Sequence, residues 1–347
     1  MRRNLVPAVF LVLCLLGTYY SRMGASFVAG EIVTRFIRDG VLTLSLVIPV
    51  AAGMGLNFAM VVGSMCAQCG LVMAVDYQVS GPAGLALILA VGLPLSILTG
   101  WLIGLCMNRV KGKEMIASII IGFVATSVYQ LVFMTGYGTV ITPHNRDMML
   151  SRGVGVRNMI DLAPFRNIVD RLWVVDICGV ELPVFMILAV LAVACAVWLV
   201  LHSRLGRHFR AVAESGRKAR LSGIDVDAVR IKAMILSTML ACLGQVIYAQ
   251  NIGMLNVYTA HLNSDVFACA SLLAGGATIY TAKVRHALLG VLLFHGLFIV
   301  SPQAGQNLFS NAALGEYFRS FVAYGAIAFA LIMNIRRENL ESAGRGR

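Results

Sequence analysis

Two thiols three positions apart, Cys66 and Cys69, have the spacing used by zinc and dithiol sites. No second pair follows. The other six cysteines, Cys14, Cys106, Cys178, Cys195, Cys242 and Cys269, sit mostly inside apolar runs, where Cys behaves as a small hydrophobe. The expectation is therefore no disulfide framework, no metal and no cofactor. A phosphate-binding loop is missing as well: GRKARLSG, the nearest stretch with Gly and Lys, lacks both the spacing and the Gly-Lys-Ser/Thr ending. The chain cannot hydrolyse ATP by that route, and no catalytic residue is expected. His295 is the lone titratable side chain deep in an apolar run. With no acidic neighbour in sequence it reads as a packed, hydrogen-bonded imidazole rather than a proton relay.

The remaining polar chemistry is neutral. Asn57, Ser64 and Gln68, then Thr126, Ser127 and Gln130, then Gln245, Gln250 and Asn251 interrupt otherwise apolar stretches. Such groups turn away from lipid, toward partner helices or a water-filled path. Intervals of seven and four place Asn57, Ser64 and Gln68 on one helical face with Gly53. Asn57, Ser64, Gln68, Gln130, Gln245 and Asn251 are thus candidates to line a path, and interhelical bonding would account for them equally well.

The elements that position these groups follow from composition. The 347 residues are 59% hydrophobic and 13% charged, against about 45–50% apolar and 25% charged in soluble domains. Charges are clustered, and the uncharged runs between them reach the ~20 residues that a helix needs to cross a bilayer. The sequence predicts an all-α, polytopic membrane protein of about ten spans, near residues 5–21, 41–56, 57–75, 84–107, 115–134, 182–201, 232–251, 265–280, 286–302 and 317–335. Arg2 and Arg3 before the first run resemble the start of a signal peptide, but Leu13 before Cys14 does not fit a lipoprotein site, and the segment reads as an uncleaved span. The uncharged run over 40–75 would make a rod of about 52 Å against a hydrocarbon core of about 30 Å. Pro49, Gly53 and Gly55 are its natural break points, so two short or broken helices are expected there.

Alternating from a cytoplasmic N-terminus puts 19 of the 28 Lys and Arg residues inside, with both termini cytoplasmic. The net +12 is then a matter of topology, so nucleic acid is not an expected partner. The membrane domain covers 1–335, followed by a short basic tail at 336–347. The longest hydrophilic stretch, 135–181, falls outside and is long enough for interfacial helices and a lid. Glu31 to Asp39 has the amphipathic pattern of a helix lying on the outer surface.

The most informative segment is the cytoplasmic loop 202–231, SRLGRHFRAVAESGRKARLSGIDVDAVR at its centre. A positive-inside anchor needs only a few cations, whereas this loop is long, basic and patterned as short amphipathic helices. It resembles the GRxxRAVGxNxxAAxxSGIxVxxxK signature of the branched-chain amino acid and sugar permease superfamily of ABC importers. The matching positions include Gly206, Arg207, Arg210, Ala211, Ala219, Ser222, Gly223 and Ile224. GLNFAMVVGSMCAQ and LLAGGATIYTAKVRHALLGVLL resemble further family segments, so the resemblance spans roughly 40–335. Tyr280 to Lys283 and His286 replace several family glycines.

That resemblance implies a permease subunit in the bacterial cytoplasmic membrane. Loop 202–231 would seat in separate ATPase subunits, and an extracytoplasmic solute-binding protein and a second permease chain, identical or not, would complete the assembly. The ionic emptiness of the spans favours a neutral or weakly charged solute such as a sugar, nucleoside or riboflavin. The rival reading is an ion-coupled secondary transporter, against which the absence of midspan carboxylates argues.

Overall fold

The computed structural model describes residues 5–332, apart from 152, 167, 178, 312, 322, 323, 326, 327 and 329–331. The basic tail lies outside them. Twelve helices are named: α1 (Leu5–Ser21), α2 (Ala25–Ser45), α3 (Val47–Ala51), α4 (Val61–Asp76), α5 (Gly81–Arg109), α6 (Glu114–Leu131), α7 (Val184–His202), α8 (Arg204–Glu214), α9 (Gly216–Leu221), α10 (Val226–Gln250), α11 (Ser264–Ala274) and α12 (Val284–Phe309). Four short strands join them: β1 (Met159–Asp161), β2 (Val174–Ile177), β3 (Val180–Pro183) and β4 (Met254–Asn256). They form two antiparallel pairs, β1 with β4 and β2 with β3. The architecture is an all-α membrane bundle.

Among the described residues, six helices are long and apolar enough to cross a membrane, at 58–76, 81–109, 114–136, 184–202, 226–250 and 284–309. The expectation of about ten is corrected to six, for reasons visible in the chain. The segment 41–56 is the last five residues of α2 followed by the five-residue α3 and a turn, and 265–280 yields only the eleven-residue α11. The run 5–21 forms the shorter apolar α1, and 317–335 lies largely outside the described residues. Uncharged length alone does not distinguish one continuous helix from a broken one.

The break in the long apolar run falls where glycine permits it. Gly53 and Gly55 have φ of +76° and +72°, a conformation that costs an L side chain. A Cβ at Gly53 would also lie 2.6 Å from the Ala213 Cα. Asn57 restarts the helix by accepting the Ala59 N–H at 3.1 Å, capping the 3-10 turn Phe58–Met60. The amphipathic stretch 31–39 is not a separate surface helix: it is the middle of α2, which packs against α10 and α12. A helix with one face on a bundle and a helix on a membrane surface share the same apolar stripe.

At the centre, α4 is enclosed by α5, α6, α10 and α11. The longest interface, α5 on α10, uses small residues: a Cβ at Gly104 would stand 2.8 Å from the Ile231 Cα. Lipid is as apolar as a leucine face, so close backbone approach supplies much of the attraction between such helices.

The bundle has two distinct ends. One gathers 52–57, 107–115, 203–230 and 277–285, with Gly55 beside Met115 and Ile279. The other gathers 76–80, 137–183 and 251–263. There Asp76 accepts the His144 and Asn145 N–H groups at 2.8 and 3.0 Å, and β1 pairs with β4. Among the described residues, 135–181 holds short strands and the 3-10 turn Arg146–Met148 in place of interfacial helices.

Gly104→Val should force α5 from α10 and cost on the order of 1–3 kcal/mol, the usual range for overpacking. Gly24→Ala, with nothing within 4 Å of its Cβ, should be neutral. Melting of the purified protein in detergent checks both, and equal midpoints would contradict the packing described.

Candidate functional site

At the first of these ends, α8 and α9 form a short helical elbow. Phe209 and Val212 turn inward with Gly206, whose Cβ would meet the Leu201 carbonyl. Arg207 and Arg210 face out, and Ala211 is half-buried. The Ser215 hydroxyl accepts the Lys218 N–H at 3.3 Å and starts α9, where Ala219 is buried. Gly223, with φ +78°, ends the turn, so Ile224 N–H reaches the Ala219 carbonyl at 3.0 Å. Ser222 and Gly223 are exposed and Ile224 half-buried. The eight expected loop residues therefore divide: Gly206 and Ala219 build the elbow, while Arg207, Arg210, Ser222 and Gly223 present its surface.

The elbow is anchored by charge. Asp227 bridges Lys111 at 2.5 Å and Arg220 at 3.2 Å, and Asn108 donates to the Asp227 carbonyl at 2.9 Å. Arg230, buried, donates to Glu114 at 2.7 Å and to the Met107 carbonyl at 3.1 Å. These contacts connect α9 through α10 to the end of α5 and the start of α6. Leu221, 82% exposed at the end of α9, is the most prominent apolar side chain here. Sequence reasoning passed over it, because one leucine in a basic loop carries no pattern.

The expected path residues are dispersed. Gly53 and Asn57 precede α4 and do not share its face with Ser64 and Gln68, because the non-helical turn at 52–57 breaks the register. Asn57 Nδ2 reaches the Ser237 hydroxyl at 3.3 Å, joining the start of α4 to α10. Ser64, Gln68 and Gln245 are fully enclosed within this single chain. Gln130 donates to the Tyr258 carbonyl at 3.3 Å. Asn251 accepts from Arg38 at 2.6 Å and donates to Asp170 at 2.5 Å.

Gln68 has two neighbours that sequence gave no reason to join to it. Its Oε1 lies 2.9 Å from His261 Nδ1, and the Tyr129 ring stands 5.0 Å from that imidazole. All three side chains are buried, and Gln68 Nε2, His261 Nε2 and the Tyr129 hydroxyl make no hydrogen bond among the described residues. Buried polar atoms left so are rare. Burial pushes the His261 imidazole down to about 4, so it is neutral at physiological pH.

A second buried network runs along α2. Beyond Arg38 and Asn251, it includes Asp170, whose carboxyl is raised by burial while the Asn251 hydrogen bond and Arg38 oppose the rise. Asp39 lies 3.4 Å from His295 Nε2, and Arg35 covers the Phe298 ring at 5.3 Å. This corrects the reading of His295 as lacking an acidic partner. Asp39 is 256 positions away in sequence, and only the packing of α2 on α12 brings the pair together.

These features match a known family. The model for the branched-chain amino acid transport system permease component matches residues 28–333. The autoinducer 2 import system permease protein LsrC of Photorhabdus luminescens is 24% identical over 328 residues, 93% of this chain and 88% of that protein. The ribose import permease protein RbsC of Escherichia coli K12 is 27% identical over 283 residues, 80% and 77% of the two chains. A bundle of six long apolar helices, an anchored basic elbow after α7 and a family match over most of the length lead to one assignment. The chain belongs to the branched-chain amino acid transport system permease family and is a multi-pass transport protein of the bacterial inner membrane.

Proposed function

We propose that this chain is the permease subunit of an ATP-driven importer and provides the passage for a neutral polar solute, most specifically a sugar. The observation that carries this reading is the elbow of α8 and α9. It is tied by Asp227 and Arg230 to three long helices, yet turns Arg207, Arg210 and Leu221 outward as a partner surface. Separate ATPase subunits dock there, and their closure on ATP moves the elbow and, through it, α5, α6 and α10. A solute-binding protein engages the opposite end, and a second permease chain, identical or different, completes the passage. The elbow, both termini and Lys111 face the cytoplasm, and Asn158 faces outward. Residues 1–335 act as one permease domain with 336–347 as its tail. A sugar is favoured because one relative is named for ribose import; nucleosides and riboflavin are the alternatives. Family membership and the elbow argue against an ion-coupled carrier.

We assign Asn57, Ser64, Gln68, Gln130, Gln245 and Asn251 to the passage on the reading that helix movement during transport frees these groups, which here are enclosed in the bundle or bonded within it, to exchange hydrogen bonds with the solute. Each is worth about 0.5–1.5 kcal/mol net, so the permease holds its solute loosely and the binding protein does most of the selecting.

Leu221→Asp, and separately Arg207→Glu with Arg210→Glu, should reduce ATPase co-purification and solute uptake at least tenfold, ~1.4 kcal/mol or more, with the protein still inserted. Ala219→Trp is a poorer probe, since Ala219 is buried in the elbow itself. Retained ATPase binding and uptake in both variants would contradict the docking assignment.

An impermeant thiol reagent on cells should label a cysteine placed at Asn158 and spare one at Arg217, in a background without native cysteines. The reverse pattern would invert the orientation.

In vesicles holding the complete importer, uptake should require ATP, persist when ion gradients are collapsed, and favour a neutral sugar over nucleosides and riboflavin. Uptake driven by an ion gradient alone would remove the proposal.

A further inference from the structure

At the end of the bundle away from α8 and α9, a cavity of about 580 Å³ opens between the last turn of α4, residues 78–80 and the loop 145–165. That volume lies in the ~300–1,000 Å³ range of small-molecule sites. Its wall is formed in part by the buried Met148 and Phe165, and its polar side by Gln78, Asp147, Arg157 and Asp161.

The polar groups are held at their backbones or bases, and their tips are left unengaged. Arg157 Nε donates to the Met149 carbonyl at 2.9 Å, and its two terminal nitrogens make no hydrogen bond among the described residues. The Asp147 N–H is held by Asn145 Oδ1 at 3.0 Å, while the Asp147 carboxylate has no protein partner among them. Gln78 sits at φ +53°, its N–H on the Val75 carbonyl at 3.2 Å, with its amide likewise unengaged. Asp161 caps the Ala163 N–H at 2.8 Å through one oxygen.

An amide, a guanidinium and carboxylates offer donors and acceptors suited to hydroxyls. The aromatic and thioether wall suits the C–H face of a ring. Two carboxylates against one guanidinium leave the lining net negative, which disfavours a phosphate ester. We propose that this cavity is a binding site for a neutral, polyhydroxylated ring, occupied before the solute enters the bundle. This rests on the permease reading and extends it to named residues. Binding is weak, because the lining groups are open to water and each hydrogen bond contributes only about 0.5–1.5 kcal/mol net.

The test uses the permease–ATPase complex in lipid nanodiscs, with native cysteines replaced. Met159→Cys and, separately, Met254→Cys put thiols on two strands lining the cavity, and Val140→Cys, 86% exposed and outside the lining, is the control. Maleimide labelling is timed with neutral pentoses and hexoses, D-ribose included, at tens of millimolar. At least one sugar should slow labelling several-fold at 159 or 254 and not at 140. Ribose 5-phosphate should not, and Asp147→Asn should remove the protection. Protection by no sugar at either position, or equal protection by the phosphate ester, overturns the site. ATP-driven sugar uptake by the same complex with its binding protein, measured in parallel, separates the two readings. Uptake without protection removes only this cavity, whereas ion-driven uptake removes the permease reading beneath it.

Discussion

The hydrocarbon core of a bilayer offers no water to a peptide group, so every interruption of a helix must find partners within the protein or lie at an end of the bundle. The interruptions here obey that constraint. Residues 52–57 are closed by Asn57 and covered by Ala213 of α8. The π-turn Val132–Gly136 that ends α6 exposes the Phe133 carbonyl, which receives the Tyr258 hydroxyl at 3.3 Å and the Val156 N–H at 3.0 Å. After α11 the chain turns through Thr278, whose hydroxyl accepts the Tyr280 and Thr281 N–H groups at 3.3 and 3.0 Å. The first two breaks thereby become joints tied to elements far away in sequence, and the third is closed locally.

The same constraint explains what could be read in the sequence. Long uncharged runs with no internal turn, such as α5, α7 and α10, were legible because burial in lipid demands both length and apolarity. Gly53 and Gly55 were legible as a break because few other residues take that backbone. The fate of α2 was not: its Glu31, Arg35, Arg38 and Asp39 look like solvated charges until Asn251, His295 and Phe298 are seen facing them. Tertiary pairing of residues hundreds of positions apart leaves no local trace. Gln68 was legible as a polar group in an apolar helix, while His261, in an irregular connection, was not. The elbow was the clearest segment because its length and charge serve no purpose in anchoring alone.

Beside the elbow, the buried pair Arg230 and Glu114 has a cost that a surface pair lacks, since both ions leave water. Its value is geometric: the planar guanidinium fixes the start of α10 against the end of α5 and the start of α6, and Asp227 repeats the connection one turn earlier. The elbow itself is tied to this cluster through Arg220, which meets Asp227 at 3.2 Å.

The pairing of β1 with β4 joins Ile160 to Leu255, 95 positions later. Between those two residues lie α7, the elbow and α10, all of which must be synthesised and threaded before the strands can meet. The segment 137–183 therefore emerges long before its partner and must wait, its strand edge unsatisfied, until α10 has been inserted. Closure of this clasp is a late event in biogenesis, because ten helices, α1 to α10, precede Leu255 in the chain.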